Sequence, residues 1–214
     1  MQAATPDLCL EFTASSSQSI LLPALGSLSD GDSSFSYWVD QSGGGSEYIF
    51  DAQTGRRLFG DSGSNYATYG GGWDTSDIAV LTGWHHIVWV ESGGAWRQYI
   101  DDTGYYDYVG TGSSSTAYNG SVALASRYSQ DSNFLDGKLG DVRIYDGAIT
   151  TDEIAALYIN YNKPVTTTAT LMAWYKLDEG PANSTALGSG SIIDSSGNAL
   201  HGTASNSPVY RTVA

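Results

Sequence analysis

The chain has 214 residues, with nine lysines and arginines against 23 aspartates and glutamates, a formal charge of −14. A surface of that sign repels phosphate, which excludes nucleic acid and anionic membrane as partners. No run is long and apolar enough to cross a bilayer as a helix, and a single cysteine excludes an internal disulfide.

Twenty-six glycines, 15 tyrosines and six tryptophans suit many short strands joined by tight turns. Residues 9–13 and 19–22 predict two strands, with Cys9 a small buried hydrophobe. Residues 35–39 (FSYWV) alternate as a strand, and 47–50 and 57–59 flank a turn over 51–55. Residues 60–77 predict a loop in which Tyr66, Tyr69 and Trp73 stand among glycines. Residues 84–90 (WHHIVWV) and 96–100 predict a hairpin. Alternation sends His85 and His86 to opposite faces, which excludes a two-histidine metal grip. After a turn over 101–104, segments 122–125 and 140–145 read as strands. In the last, Val142 and Ile144 share one face while Asp141, Arg143 and Tyr145 share the other, the mark of a half-buried strand. Asp146-Gly147 turns the chain. Thr150 and Glu153 then form a capping box, and Ile154, Leu157 and Tyr158 form the apolar stripe of one short helix.

Residues 1–162 read as the main sandwich, 163–170 as a Pro/Thr-rich linker and 171–214 as C-terminal strands. The tail holds strands near 172–176 and 191–193, a polar loop DSSGNALHG over 194–202, and a last strand within 203–210. It copies nothing earlier in the chain and is too short to hold a core of its own. Its strands therefore pair with the first part of the chain or with a neighbouring subunit.

Several segments resemble the laminin-G-like modules of the concanavalin A-like lectin/glucanase superfamily. Trp84-His85-His86-Ile87-Val88 is similar to that family's WHHVA strand, and Tyr99-Ile100-Asp101 to its YVDG strand end. Residues 10–20 resemble the opening strand and loop, and 135–158 the ending FDGxIDEVRIYNRALSxDEIxALY. Residues 171–180 with 194–202 resemble the usual beginning, LVAWYxLDEG…DSSGNGNHG, here at the wrong end of the chain. The resemblance implies an all-β, two-sheet antiparallel jelly-roll sandwich, concanavalin A-like, with one short helix. The displaced beginning implies a circular permutation that closes its own sandwich, or a swap between subunits. Two departures are plain: Asp101-Asp102 replaces Asp-Gly, and Gly140-Asp141-Val142 stands where Ile-Asp-Glu is usual.

Glucanases of that superfamily carry a same-face E-x-D-x-x-E set. No glutamate here has an aspartate two residues later, which argues against catalysis. Asp194 and Asn198 pack a carboxylate and an amide into one loop, a hard-oxygen set suited to structural Ca²⁺ or, equally, to Asx turns. The resemblance adds Asp141 and Asp178 or Glu179 as neighbours, while His201 is read as a hydrogen-bonding partner of the loop. Sugars stack on aromatic rings, so Tyr66, Tyr69, Trp73, Tyr105, Tyr106 and Tyr108, in loop-like stretches, are the glycan-binding candidates.

Residues 1–6 show no export signal. The expectation is a non-enzymatic lectin-like structural or decoration protein on the surface of a viral (phage) particle, in contact with other virion proteins and with glycans. The alternative is a carbohydrate-binding adhesion module of a bacterial surface or secreted protein. Either class admits a homo-oligomer.

Overall fold

The structure, a computed structural model, describes residues 7–27, 31–41, 45–53, 57–69, 73–101, 105–108, 117–118 and 120–213. The strands among them are, in chain order, β1 (Leu8–Phe12), β2 (Ser19–Leu22), β3 (Gly26–Ser27), β4 (Ser33–Gln41), β5 (Tyr48–Ala52) and β6 (Arg57–Ser62). There follow β7 (Asn65–Tyr69), β8 (Trp73–Ala79), β9 (Trp84–Ser92), β10 (Ala95–Ile100), β11 (Tyr105–Tyr108), β12 (Ala117–Tyr118), β13 (Val122–Leu124) and β14 (Gly137–Asp146). Helix α1 (Thr151–Ile159) precedes β15 (Thr170–Tyr175), β16 (Gly188–Ile192), β17 (Gly202–Ser205) and β18 (Val209–Thr212).

Two large antiparallel sheets face each other. The front one runs β11-β10-β9-β4-β14-β1-β18, with β15 also on β14; the back one runs β16-β17-β2-β13-β5-β6-β7-β8. Alternation builds the core between them: Phe35, Tyr37 and Val39 of β4 and Ile87 and Trp89 of β9 meet Ile49, Phe50 and Tyr66 of the back sheet. Trp89 Nε1 donates to Tyr37 Oη at 3.2 Å, so this interior pair buries a satisfied donor. The β9–β10 hairpin turns on Gly93 (φ 60°) and Gly94 (φ 80°), two positive-φ residues as a two-residue type I′ turn demands.

The expected loop over 60–77 is instead the hairpin strands β7 and β8, since Tyr66 and Thr68 alternate inward with Ala67 and Tyr69 on the other side. Tyr105, Tyr106 and Tyr108, also expected in loops, lie in β11.

β14 is buried on both faces rather than one. Val142 and Ile144 enter the main core, while Tyr145 joins Val88, Val90, Ile149, Ile154 and Leu157 in a second core under α1. The helix begins at the capping box: Thr150 Oγ1 accepts from Glu153 N at 3.3 Å and Glu153 Oε2 accepts from Thr150 N at 2.6 Å. Burying Ile154 and Leu157 stabilises by roughly 1.5–3 kcal/mol each. Tyr158 stacks on Trp38, centroids 5.5 Å apart, and Trp38 stacks on His86, centroids 5.2 Å apart.

One edge of β14 is divided between two strands. Leu139 pairs with Leu10 of β1, whereas Val142 to Asp146 pair with β15. The changeover falls at Asp141, whose φ of 46° is left-handed. Its carboxylate accepts from Arg143 Nε (2.7 Å) and Nη2 (2.9 Å), Trp174 Nε1 (2.6 Å) and Asn162 N (2.9 Å). The Arg143 guanidinium, buried beneath the linker, also lies 4.4 Å from the Trp174 ring centroid. Strands β15 and β18 thus join the front sheet, and β16 and β17 extend the back sheet from β2.

Candidate functional site

β1, β14 and β4 lie side by side, and Glu11, Lys138 and Asp40 fall in one row across them. Their neighbours Leu10, Leu139 and Val39 face the core, so this row faces outward. Lys138 Nζ lies 3.6 Å from Asp40 Oδ2, and Arg211 Nε donates to Glu11 Oε2 at 2.6 Å. With Phe12, Thr13, Asp136 and Gly137 these residues line a cleft of about 220 Å³ at the end of the sheet. Gly137 is required there because a Cβ would run into the Asp40 carbonyl. The cleft offers carboxylate acceptors, a threonine hydroxyl and one ammonium donor on a rigid scaffold, groups that match a polyhydroxylated ligand.

Behind the cleft the two sheets are joined by polar groups. Gln41, at the inward end of β4, donates through Nε2 to Glu47 Oε2 (3.3 Å) and to Asp61 Oδ2 (3.2 Å). Asp61 Oδ1 accepts from Glu47 N at 3.2 Å, and Glu47 Oε1 from Asp136 N at 3.2 Å. Gly60 allows this meeting, since any Cβ would collide with the Glu47 carbonyl. Burial pushes the Asp61 carboxyl up to about 7 and raises Glu47 as well. Neither acid was a sequence-based candidate. They stand 14 positions apart, and the bond from Asp61 N of β6 to the carbonyl of Glu47, just before β5, brings them together.

The metal-ligand expectation fares differently at each residue. Asp194 Oδ1 accepts from Trp174 N and Ser196 N at 2.9 Å each, and Oδ2 from Ser196 Oγ (2.8 Å) and Leu200 N (3.0 Å). Desolvation works against its charge, but these donors outweigh it and hold the carboxyl below its usual range. Asn198 Nδ2 donates to the carbonyls of Leu171 (3.2 Å) and Met172 (2.8 Å), and His201 Nδ1 accepts from Asp194 N at 3.0 Å. Asp141 is committed to Arg143, and Asp178 Oδ2 accepts from Asn162 at 3.0 Å. Both oxygens of Asp194 and of Asp141 and Oδ2 of Asp178 accept from protein donors, and Asn198 is anchored through its amide nitrogen, so the set Asp194, Asn198, Asp141 and Asp178 is not turned to a calcium ion. Among the described residues no group of three or more histidine, cysteine, aspartate and glutamate side chains could hold a metal.

Of the aromatic candidates, Tyr66 is 1% exposed in the core, and its Oη accepts from Leu81 N at 3.3 Å. Its ring therefore offers no face to a sugar, which corrects that expectation. Tyr69 is half-buried at the outer end of β7. The side chains of Trp73, Tyr105, Tyr106 and Tyr108 lie outside the described residues. His86 sits at the opposite face from His85: its Nε2 is 2.8 Å from Ser36 Oγ, while His85 Nδ1 is 3.0 Å from Asp101 Oδ2. Burial pushes the Cys9 thiol up to about 12, so it is an inert core residue.

Two facing antiparallel sheets with one short helix define a jelly-roll sandwich. The chain belongs to the concanavalin A-like lectin/glucanases superfamily, whose laminin-G-like family model matches residues 14–155. No curated protein matches the chain. Among solved structures it is similar to a candidate carbohydrate binding protein from Bacteroides ovatus, with TM-score 0.69, 15% identity and 98% of this chain covered. It spans 61% of that protein's length. It is also similar to domain 4 of the extracellular arabinanase AbnA from Geobacillus stearothermophilus (TM-score 0.52, 20% identity, 65% of this chain and 72% of that one). A third likeness is to the enzymatically active domain of tailspike protein 2 of bacteriophage CBA120 (TM-score 0.55, 16% identity, 85% of this chain and 34% of that one). At these identities the likeness is one of fold.

Proposed function

We propose that the chain is a non-enzymatic, lectin-like structural or decoration protein that binds glycans on the surface of a phage particle. The observation that carries binding is the end cleft, where Glu11, Thr13, Asp40, Asp136 and Lys138 converge on one solvent-open space. A recognition role rather than hydrolysis is supported by the sequence, in which no glutamate has an aspartate two residues later, so the same-face carboxylate set of the glucanases is missing. The tailspike likeness supports the particle setting. The Bacteroides ovatus likeness favours the second reading, an adhesion module of a bacterial surface or secreted protein.

A glycan array with the purified chain tests the binding, and gel filtration tests the setting. We expect retention of at least one polysaccharide class, weakened about tenfold by Asp136→Ala or Lys138→Ala, a loss of roughly 1.4 kcal/mol. A symmetric oligomer with glycan affinity supports display on a particle, and a glycan-binding monomer supports adhesion. No retention on any glycan would overturn the recognition role.

A further inference from the structure

We propose that the end cleft selects sugars carrying a protonated amine and turns acidic sugars away. The inference rests on the glycan-binding reading above and names the ligand class of that same cleft.

The charged groups decide the class. Three carboxylates, Glu11, Asp40 and Asp136, line the cleft against one ammonium, Lys138. That ammonium lies 3.6 Å from Asp40 Oδ2. The Arg211 guanidinium, on the adjoining strand β18, is held by Glu11 Oε2 at 2.6 Å and by the side-chain oxygen of Asn183. Both cations are thus committed to acceptors of the protein itself. Three acids against two bases leave these groups net negative, and the chain's charge of −14 adds a field of the same sign. A uronate, sialate or sulfate entering the cleft would meet repulsion, and would have to take a cation from a carboxylate that already holds it. A sugar ammonium meets the opposite: attraction, and carboxylate oxygens able to accept charge-assisted hydrogen bonds.

The register adds an aromatic neighbour. Glu11 pairs with Lys138, Lys138 with Asp40, and Asp40 with Trp84 of β9. Trp84 therefore stands on the same outward row, one strand spacing (about 4.8 Å) beyond Asp40. It is half-buried, and its Nε1 is buried with no partner, so ring carbon is what the indole can present outward. An indole beside a carboxylate suits an ammonium, through the ring's negative face, and suits the C–H face of the sugar that bears it. Phe12, the cleft's own ring, is 1% exposed and cannot serve.

Titration calorimetry on the full chain at pH 6 tests the selection, with three oligosaccharides of equal length: glucosamine, N-acetylglucosamine and galacturonate. We expect the glucosamine oligomer to bind about fivefold tighter than its acetylated counterpart, the worth of one close charge pair in water, and the galacturonate not to bind. The preference should shrink in 0.5 M salt. Asp136→Asn should bring it close to one, whereas Asp152→Asn, which removes an equal charge from exposed helix α1, should leave it intact. An equal fall in both variants would mean a general attraction of polycations to an acidic surface, and would overturn the proposal. Equal or tighter binding of the acetylated or acidic oligomer overturns it too, while leaving the recognition role standing. A chain that binds none of the three and no glycan on an array overturns both.

Discussion

His86 shows how one buried side chain acquires a pH dependence. Burial pushes its imidazole down to about 3, with the nearby Arg143 guanidinium adding to the effect. Ser36, Trp38 and Tyr158 surround the ring and supply no carboxylate to stabilise a cation. Below about 6.5 the unfolded chain takes up a proton that the folded one refuses. His86 therefore costs stability as pH falls from that value, by roughly 2 kcal/mol at pH 5. Asp61 acts in the opposite sense. Its raised pKa of about 7 means that the folded chain holds a proton the unfolded one has lost, so its stabilisation fades as pH rises through 7. In His86→Gln, urea unfolding should show a larger gain in stability from pH 7 to pH 5 than in the native chain. An unchanged pH slope would mean that the imidazole is not sealed.

At the scale of elements, the loop 194–202 works as a clasp on β15. One carboxylate, Asp194, satisfies the N–H groups of Trp174, Ser196 and Leu200. Asp194→Ala leaves three donors without that acceptor. We expect it to cost about 2–4 kcal/mol in urea, discounted for the donors that water can reach. The stabilisation is present above the ordinary aspartate pKa and is lost as pH falls through the lower folded value. A cost near zero would show that the clasp is ornamental to β15. Helix α1 and the β9–β10 hairpin were readable in advance because their signals are local, a capping box in one and glycines at a tight turn in the other. β7 and β8 were not, because glycines and small polar residues hid the inward alternation of Tyr66 and Thr68. The both-sided burial of β14 was hidden for a different reason, since the helix that covers it lies beyond the strand itself. The cleft and the acids behind it were illegible, because register across β1, β14 and β4 assembles the one and sheet-to-sheet packing the other.

For the whole molecule, the four tail strands supply part of both sheets. Removing residues 163–214 uncovers the β15 side of β14, the outer edge of β1 and the β17 side of β2. It also strips Trp174 from Arg143 and Asp141. Open ladder edges and apolar surface favour association over folding. A chain ending at residue 162 should aggregate or lose its cooperative melt, read by gel filtration and thermal scanning. A truncated chain that stays monomeric and melts as sharply as the native one would contradict this account.

The ladder between β1 and β18 sets Leu8 opposite Thr212. A ribosome adding 5–20 residues per second needs about 10–40 s to make the intervening stretch. Through that interval the first strand has emerged but its outer neighbour does not yet exist. The nascent polypeptide must therefore remain open along this seam until translation reaches the final turns of the sandwich, and closure comes as a late step.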